Sequence, residues 1–462
     1  MSDLSSVMNV AKDALLSHAS AINITGSNIA NVNTPGYSRL RPVFSSIGGA
    51  AELQFGVEVS GAERLYDKYL EVQLVQQNQE IGYYEARKGV LDRVEGIFNE
   101  SAGGGLNESL TKFWNAWEDL SANPTGTVQR DALVSAAESL ATVFRQKAEE
   151  LQEIRQDMNV SVSGTVSEVN SYLTNIAELN EKIVQTVTGG GNASDLLDKR
   201  QDNLQKLGAL IDFQYIEDAS GAVNVFTSNG KPLVEAGRTW KLGTAVNGDN
   251  HDVVFQDDLG EVINDCFSKG KLTACLEARD TTVDGYLDKL DSLAASLVKA
   301  VNEKHLEGYD MYGNIGGDFF VFDPVTDADA AHMRVSTAIT EDPGKIAAST
   351  SVDSDGNNAS AIAAIKDSLL TVGDDTTTAT LSDHYSALMA RVGQDVKDSN
   401  SSLDHQTVIM NQLESQRETV SGVSLDEEMM NLMKYQLGYN AAGRLAATVS
   451  ALMDTLMSMM EG

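Results

Sequence analysis

The two ends of the chain carry the pattern that most restricts its fold, namely apolar heptads with almost no charge. Residues 1–36 contain only three charged side chains, and residues 441–462 also contain three. Apolar residues near the N-terminus follow helical steps of three and four, at Leu4, Met8, Ala11, Leu15, Ile22 and Ile29. Near the C-terminus they form two adjoining seams, one at Leu425, Met429, Leu432, Tyr439, Ala446, Met453 and Met460, the other at Leu445, Val449, Leu452, Leu456 and Met459. A helix that is apolar on two faces needs partners on more than one side.

These stripes have two explanations. Helix faces usually pack inside their own chain, so an ordinary intramolecular core accounts for any single residue equally well. The joint pattern favours an assembly interface, because chain ends are normally the most polar and least ordered parts of a protein. We therefore predict that the two ends pair, as an antiparallel or coiled-coil unit, and that an assembly interface comprises Leu4, Met8, Ala11, Leu15, Ile22, Ile29, Leu432, Tyr439, Leu445, Leu452, Met453, Leu456 and Met460.

Between the ends, helical periodicity dominates. It predicts helices around 74–98, 110–123, 128–187, 195–210, 272–306 and 381–420, and Pro35-Gly36 ends the N-terminal helix. Ser424 and Glu427 form a capping box for the last helix. Period-two alternation predicts strands at 213–216, 223–227, 233–235, 240–242, 253–255, 319–322 and 333–335.

The predicted fold is mainly α with a smaller β-rich insert. A long helical bundle or coiled-coil core is built from the N- and C-terminal halves, and the β subdomain projects outward. We divide the chain into a terminal assembly domain (1–36 with 421–462), a helical bundle (37–212 with 270–306 and 381–420), a β-rich insert (213–269) and a mixed region of loops and short strands (308–380).

Charge excludes several functions. The 462 residues include 34 Lys and Arg and 67 Asp and Glu, a formal net charge of −33. Such a chain repels nucleic-acid phosphates and anionic lipids, so neither nucleic acid nor membrane is a predicted partner. The N-terminus lacks the pattern of a secretory signal peptide. Two cysteines, Cys266 and Cys275, leave open a local disulfide or two isolated thiols.

No motif for catalysis, cofactor or metal binding emerges from the sequence. The Gly-Lys pairs at 230–231 and 270–271 lack the other residues of a phosphate-binding loop. The six histidines have no metal-ligand spacing, and His18 on the N-terminal stripe is predicted to be packed. Residues 351–362 imitate a calcium loop but end in Ile362 instead of Glu, so a solvated turn is favoured.

Residues at both ends resemble those of the flagellar rod, hook and hook-associated proteins. The N-terminal likeness covers residues 30–39 and is centred on Asn31, Asn33, Thr34, Pro35, Gly36 and Tyr37. The C-terminal likeness covers residues 421–428 and 434–436. Segments 110–141, 196–213, 224–234, 270–280 and 342–358 are similar to the hook-associated members, which have a long helical middle.

The resemblance implies a structural protein of the bacterial flagellum, not an enzyme, that forms the layer between hook and filament. Its implied partners are further copies in a ring-like helical layer, the hook protein, the second junction protein and an export chaperone. Its implied location is extracellular, after export of the unfolded chain without a cleaved signal peptide. In this interpretation the ends fold on assembly, and the motif from Asn31 to Tyr37 sets the angle at which the terminal helix meets the next domain.

Two alternatives belong to other classes. A secreted or intracellular coiled-coil adaptor would share the helical pattern. An acidic secreted hydrolase would need a convergent set of catalytic residues, and the sequence offers none that we recognise.

Overall fold

A computed structural model describes residues 2–47, 56–100, 104–323, 329–352, 355–373 and 378–460 of the chain. Its first and last helices, α1 (Ser2–Ala30) and α11 (Leu425–Met460), lie antiparallel. The side chain of Asn28 meets Glu428, and Leu15 lies beside Gly443. The predicted pairing of the two chain ends is therefore present within a single chain.

A bundle of long helices forms the body. Its members are α2 (Lys68–Phe98), α3 (Leu106–Ala122), α4 (Thr127–Thr188), α5 (Ser194–Leu210), α6 (Gly270–Glu277), α7 (Val283–Leu306) and α10 (Leu381–Ser421). Helix α4 has 62 residues and is about 93 Å long at 1.5 Å per residue. Its heptad residues are buried from Leu133 to Ile183, which confirms the long helix predicted from the sequence.

The helices of the body approach closely where small residues meet. A Cβ at Gly82 of α2 would lie 1.9 Å from the carbonyl oxygen of Ala209 in α5, so only glycine fits there. Helices α2 and α10 run antiparallel, with Gln77 donating to the carbonyl oxygen of Gln406 and Arg417 paired with Glu71. A π-helical segment, Ala278–Thr282, joins α6 to α7, where the sequence pattern predicted one uninterrupted helix.

The β-rich insert consists of two antiparallel sheets beside α4. The first has the order β3-β4-β5-β6, with strands Gln214–Glu217, Val223–Phe226, Pro232–Glu235 and Arg238–Thr239. The second has the order β7-β8-β9, with strands Leu242–Asn247, Asn250–Phe255 and Asp258–Val262. Buried residues of both sheets belong to the same apolar core as the helices. The mainly α fold with a smaller β-rich insert is confirmed.

One predicted strand of the insert, 240–242, is wrong. The chain passes from one sheet to the other at Trp240 and Lys241, because the Trp240 amide donates back to Leu233 while Leu242 begins the next sheet. An alternating pattern of apolar and polar residues cannot show that the chain passes from one sheet to another within a single run of residues.

Short elements complete the chain. Strands β10 (Phe320–Phe322) and β11 (Met333–Val335) lie where strands were predicted and pair with each other, and β12 (Leu370–Thr371) pairs with β13 (Thr378–Ala379). Helices α8 (Thr337–Glu341) and α9 (Asn357–Ala363) were not predicted. Neither was the hairpin of β1 (Leu40–Ser46) and β2 (Val57–Arg64), which packs on α1. Short 3₁₀ turns occupy Asn264–Cys266, Ala330–His332, Pro343–Lys345 and Ala364–Asp367.

The two cysteines are buried as free thiols. Burial raises the pKa of the Cys275 thiol to about 11. Asp353 and Ser354 of the rejected calcium loop lie outside the described residues. Within the described ranges, no helix is long and apolar enough to cross a membrane.

Candidate functional site

The terminal helix pair, α1 with α11, leaves one face of α11 uncovered. Tyr435, Ala442 and Val449 follow each other at seven-residue intervals and are buried. Other large apolar side chains of α11 are exposed, and we call the following seven the outer stripe: Met430, Met433, Leu437, Leu445, Leu452, Leu456 and Met459. Their exposed fractions range from 39% at Leu456 to 75% at Met459, so the described part of one chain leaves them uncovered.

The residues predicted for the assembly interface divide between the two faces. Ala11 is buried, and the half-buried members are Leu4, Met8, Leu15, Ile22, Ile29, Leu432 and Met453. Tyr439, Leu445, Leu452 and Leu456 are exposed, and the side chain of Met460 lies outside the described residues. Neither predicted seam of α11 is wholly covered or wholly exposed, because Val449 of the second seam is buried and Tyr439 of the first seam is exposed.

A polar cluster at the base of the terminal helix pair was not predicted. We call it the base network: Asn28, Tyr37, Arg39, Glu427 and Glu428. The Asn28 amide nitrogen donates to Glu428 Oε2 at 2.9 Å and to the Leu40 carbonyl oxygen at 2.8 Å. Its amide oxygen accepts from the Leu40 amide and from the Tyr37 hydroxyl, each at 2.9 Å. Every polar atom of this buried side chain therefore has a partner.

Arg39 links the two chain ends through ion pairs with Glu427 and Glu428. Its guanidinium contacts Glu428 at 2.7 Å and Glu427 at 2.6 Å, and its amide donates to the Ser421 carbonyl oxygen. Glu428 is 1% exposed, so its carboxylate depends on Arg39 and Asn28 for stabilisation. Burial acts to lower the pKa of Arg39, but its hydrogen bonds to Glu427 and Glu428 outweigh burial and raise that pKa overall.

Two further contacts fasten the base network to the body. Arg417 of α10 donates to the Gly36 carbonyl oxygen at 3.0 Å and pairs with Glu71 of α2. Asp198 of α5 accepts from the Ser38 amide at 3.0 Å and from Arg64 of β2 at 2.6 Å. Three helices of the body (α2, α5 and α10) and strand β2 of the hairpin therefore meet at the point where α1 ends and α11 begins.

The motif predicted from residue 31 to residue 37 forms the turn between α1 and β1. Asn31 donates to the Ser27 carbonyl oxygen, and the Thr34 hydroxyl donates to the Asn31 side chain. Gly36 has φ +80°, a left-handed conformation that favours glycine. Tyr37 points back to Asn28, and burial raises the pKa of its hydroxyl. Asn33, Thr34 and Pro35 are exposed.

Glu427 and Glu428 take different roles from the one predicted. Helix α11 begins directly after Ser424, as an N-cap at that position requires. The side chain of Glu427, which we had assigned to the capping box, bonds to Arg39. Glu428 could have been found from the sequence, because it continues the seven-residue series of Tyr435, Ala442 and Val449 toward the N-terminus.

His18 is packed, as predicted. Its ring lies between Phe44 and Tyr435, with centroid distances of 6.2 and 6.4 Å. A Cβ at Gly438 would lie 2.5 Å from the ring, so the ring occupies a recess that this glycine leaves in α11. No group of three or more metal-ligating side chains occurs among the described residues.

Comparisons with known proteins agree with this arrangement. Residues 91–320 match the model "Flagellar hook-associated protein FlgK helical domain", and residues 8–37 match "Flagella basal body rod protein". Flagellar hook-associated protein 1 of Bacillus subtilis is 29% identical, over 98% of this chain and 97% of its own length. The protein of the same name from Salmonella typhimurium is 26% identical, over 98% and 100%.

A solved structure has the same fold. The flagellar hook junction protein FlgK from Burkholderia pseudomallei aligns with a TM-score of 0.67 at 16% identity, over 76% of this chain and all of that one. The sequence similarities identify a subunit of a flagellar axial structure, and the paired apolar chain ends on a helical body are consistent with one. The chain belongs to the family of flagellar hook-associated proteins.

Proposed function

We propose that this chain forms the structural layer between the flagellar hook and filament, and that its terminal helices complete their folding on assembly. The observation that carries the proposal is the outer stripe, seven large apolar side chains that one chain leaves in water. Burial of apolar surface contributes about 25 cal/mol per Å², so stripes that meet in a polymer supply a large driving force. The relatives named above are hook-associated and hook junction proteins, which supports this location.

The proposed partners are the proteins that would contact this layer. Further copies of the chain cover the outer stripe laterally. The hook protein and the second junction protein meet the layer from its two sides. An export chaperone that shields the apolar ends is also proposed, because unpartnered apolar helices aggregate.

The proposed route to this extracellular site is export of the unfolded chain without a cleaved signal peptide. Buried free thiols are compatible with this route, because the fold does not depend on a disulfide formed before export. The turn from Asn31 to Tyr37 is proposed to hold the angle between the terminal helix pair and the body. Its bond from Gly36 to Arg417 supports that role.

Truncation tests the proposal. Removing residues 440–462 deletes Leu445, Leu452, Leu456 and Met459 of the outer stripe but no part of the body. In cells that lack the full-length copy, we expect filaments to be absent while the truncated protein keeps the helical circular dichroism of its body and its thermal midpoint. The control is Val160→Asp, which alters an exposed valine on α4, and we expect it to leave filaments normal. Filament attachment by the truncated protein would contradict the proposal.

A second experiment tests location directly. Labelling full-length protein on sheared flagella should mark a single band between hook and filament. Label along the whole filament, or only inside the cell, would favour a different axial protein or an intracellular adaptor.

A further inference from the structure

We infer that Arg39 and Glu428, together with the recess at Gly438, fix the register of the terminal helix pair and so determine the height at which the outer stripe meets neighbouring copies. This inference rests on the proposed function, because register matters only if the stripes assemble. The two side chains form an ion pair in which Glu428 is buried and Arg39 is half-buried, and each end of the chain contributes one of them.

Apolar contacts alone do not specify this register. The buried positions of α11 recur every seven residues, at Tyr435, Ala442 and Val449. On α1, the buried residues are small or polar, at Ala11, Ser17, Ala21, Thr25 and Asn28. Sliding α11 by one heptad, about 10 Å, would therefore bring another apolar residue to most contacts.

Two contacts oppose such a slide. Moving α11 by seven residues would bring Tyr435, or chain that precedes α11, to the point where Glu428 meets Asn28, and would leave the Arg39 charge without that carboxylate. A buried polar residue in an apolar seam is a known way to specify helix register. The same slide would place Asn431 or Leu445 over His18, where the existing glycine leaves room for the ring.

The register has a consequence for assembly. The base network also bonds to the body through the Arg39 amide, which donates to Ser421, and to the hairpin through Asn28, which bonds to Leu40. The position of Glu428 thus relates the outer stripe to the body along the helix axis. A slip by one heptad would displace every stripe by about 10 Å relative to those of its neighbours.

Cysteine pairs report the register in assembled protein. Leu15→Cys with Gly443→Cys tests the observed register, since the Leu15 side chain lies 3.9 Å from the Cβ position of Gly443. Leu15→Cys with Ser450→Cys, or with Gln436→Cys, tests a slip of one heptad in either direction. Each pair is oxidised on isolated hook structures and compared with protein that has only its native cysteines.

We expect cross-linking of 15 with 443 in otherwise unaltered protein, and none of 15 with 450 or 436. In Arg39→Leu/Glu428→Leu, which removes both charges together, we expect the 15–443 yield to fall several-fold and a slipped pair to appear. Glu428→Gln keeps an acceptor for Asn28 and removes only the charge, so it provides a milder change if the double variant is not incorporated. The matched control is Arg41→Leu/Glu63→Leu, an exposed ion pair of the same hairpin.

The outcomes separate this inference from the proposed function. Unchanged cross-linking in the double variant, or in Glu428→Gln alone if the double variant is not incorporated, would overturn the register role without affecting the assignment to the junction. Slipped cross-links in the variants, with an unchanged pattern in the Arg41 and Glu63 control, would support it. Failure of the truncation experiment described above would instead contradict the proposed function.

Discussion

At the scale of single residues, His305 shows how burial fixes a protonation state. Its Nε2 accepts from the Ala347 amide at 2.8 Å, so its Nδ1 must carry the hydrogen that it donates to the Gly317 carbonyl oxygen at 2.6 Å. Trp117 and Phe319 pack on the ring. Burial lowers the pKa of His305 to about 4.

This pKa predicts a pH dependence of stability. Between pH 6.5 and about pH 4 the unfolded chain binds a proton at residue 305 and the folded chain does not, so the free energy of unfolding falls as pH falls. We expect the stability advantage of the wild type over His305→Asn to shrink by about 1.4 kcal/mol per pH unit in that window. Urea unfolding at several pH values measures it.

The difference between the two proteins is the informative quantity. Burial raises the pKa of Asp291 to about 6, which acts in the opposite direction, but this contribution is common to both proteins and cancels. His405→Asn, at an exposed position of α10, is the control. A wild-type advantage that stays constant from pH 7 to pH 4 would show that His305 does not carry the effect.

Gly438 gives a second prediction at this scale. Alanine there would place its Cβ 2.5 Å from the His18 ring, which Phe44 and Tyr435 hold in place. We expect Gly438→Ala to reduce the amount of protein on isolated hook structures at least several-fold. His18→Ala/Gly438→Ala should restore it, because the smaller side chain removes the overlap.

Gly443→Ala is the matched control for Gly438→Ala. The nearest atom to a Cβ at 443 is 3.9 Å away, which is an ordinary contact, so we expect normal incorporation. Equal effects of the two alanine variants would show that helix propensity, and not the recess, determines the result.

At the scale of elements, most helices could be predicted from sequence and the hairpin could not. The heptad pattern of α4 continues for many turns, so the sequence predicted the length of this helix correctly. Strands β1 and β2 consist almost entirely of exposed and half-exposed residues, and their alternation is weak. The base network was beyond prediction for another reason: Asn28 and Glu428 are 400 residues apart, and no local pattern relates two polar side chains across that distance.

The sequence analysis predicted part of the outer stripe. Leu445, Leu452 and Leu456 were found because they follow helical spacing. The sequence could not tell which residues of the two adjoining seams face α1, because the buried series passes through Tyr435, Ala442 and Val449 and depends on the recess at Gly438. Packing geometry, and not hydrophobicity, made the choice.

The outer stripe predicts the effect of added charge. Leu445→Asp/Leu452→Asp would place two carboxylates on the face that is to be buried, and burial of an unpaired charge is strongly unfavourable. We expect filaments to be lost while the thermal midpoint of the free protein changes by no more than a few degrees, because both side chains are exposed in one chain. Motility assays and circular dichroism measure the two results.

Val160→Asp again provides the control, since it adds a carboxylate at an exposed valine of the body. Loss of motility in both proteins would show that surface charge in general, and not the outer stripe, is the cause.

At the scale of the whole molecule, one continuous core joins the helical body to the β-rich insert, and no described residue of the terminal helix pair belongs to it. Local stability should follow this division, because elements with few buried apolar contacts open most easily. The free protein should therefore consist of a resistant body with labile ends.

Limited proteolysis of the free protein tests this division. We expect cleavage within residues 2–30 and 430–460, and a resistant fragment that extends approximately from Asp67 to Ser421. Mass spectrometry of the fragments identifies the boundaries, and assembled protein serves as the control in which the ends are protected. Ends that remain intact in the free protein would rule out folding on assembly.

The antiparallel arrangement of α1 and α11 also bears on quality control. Helix α1 is synthesised first but cannot pair until α11 has been synthesised, because the partner of Asn28 is Glu428, near the opposite end of the chain. A copy that ends prematurely, at almost any point, therefore offers its neighbours only half of a docking unit. Incomplete copies should be rejected by the growing structure without any dedicated inspection.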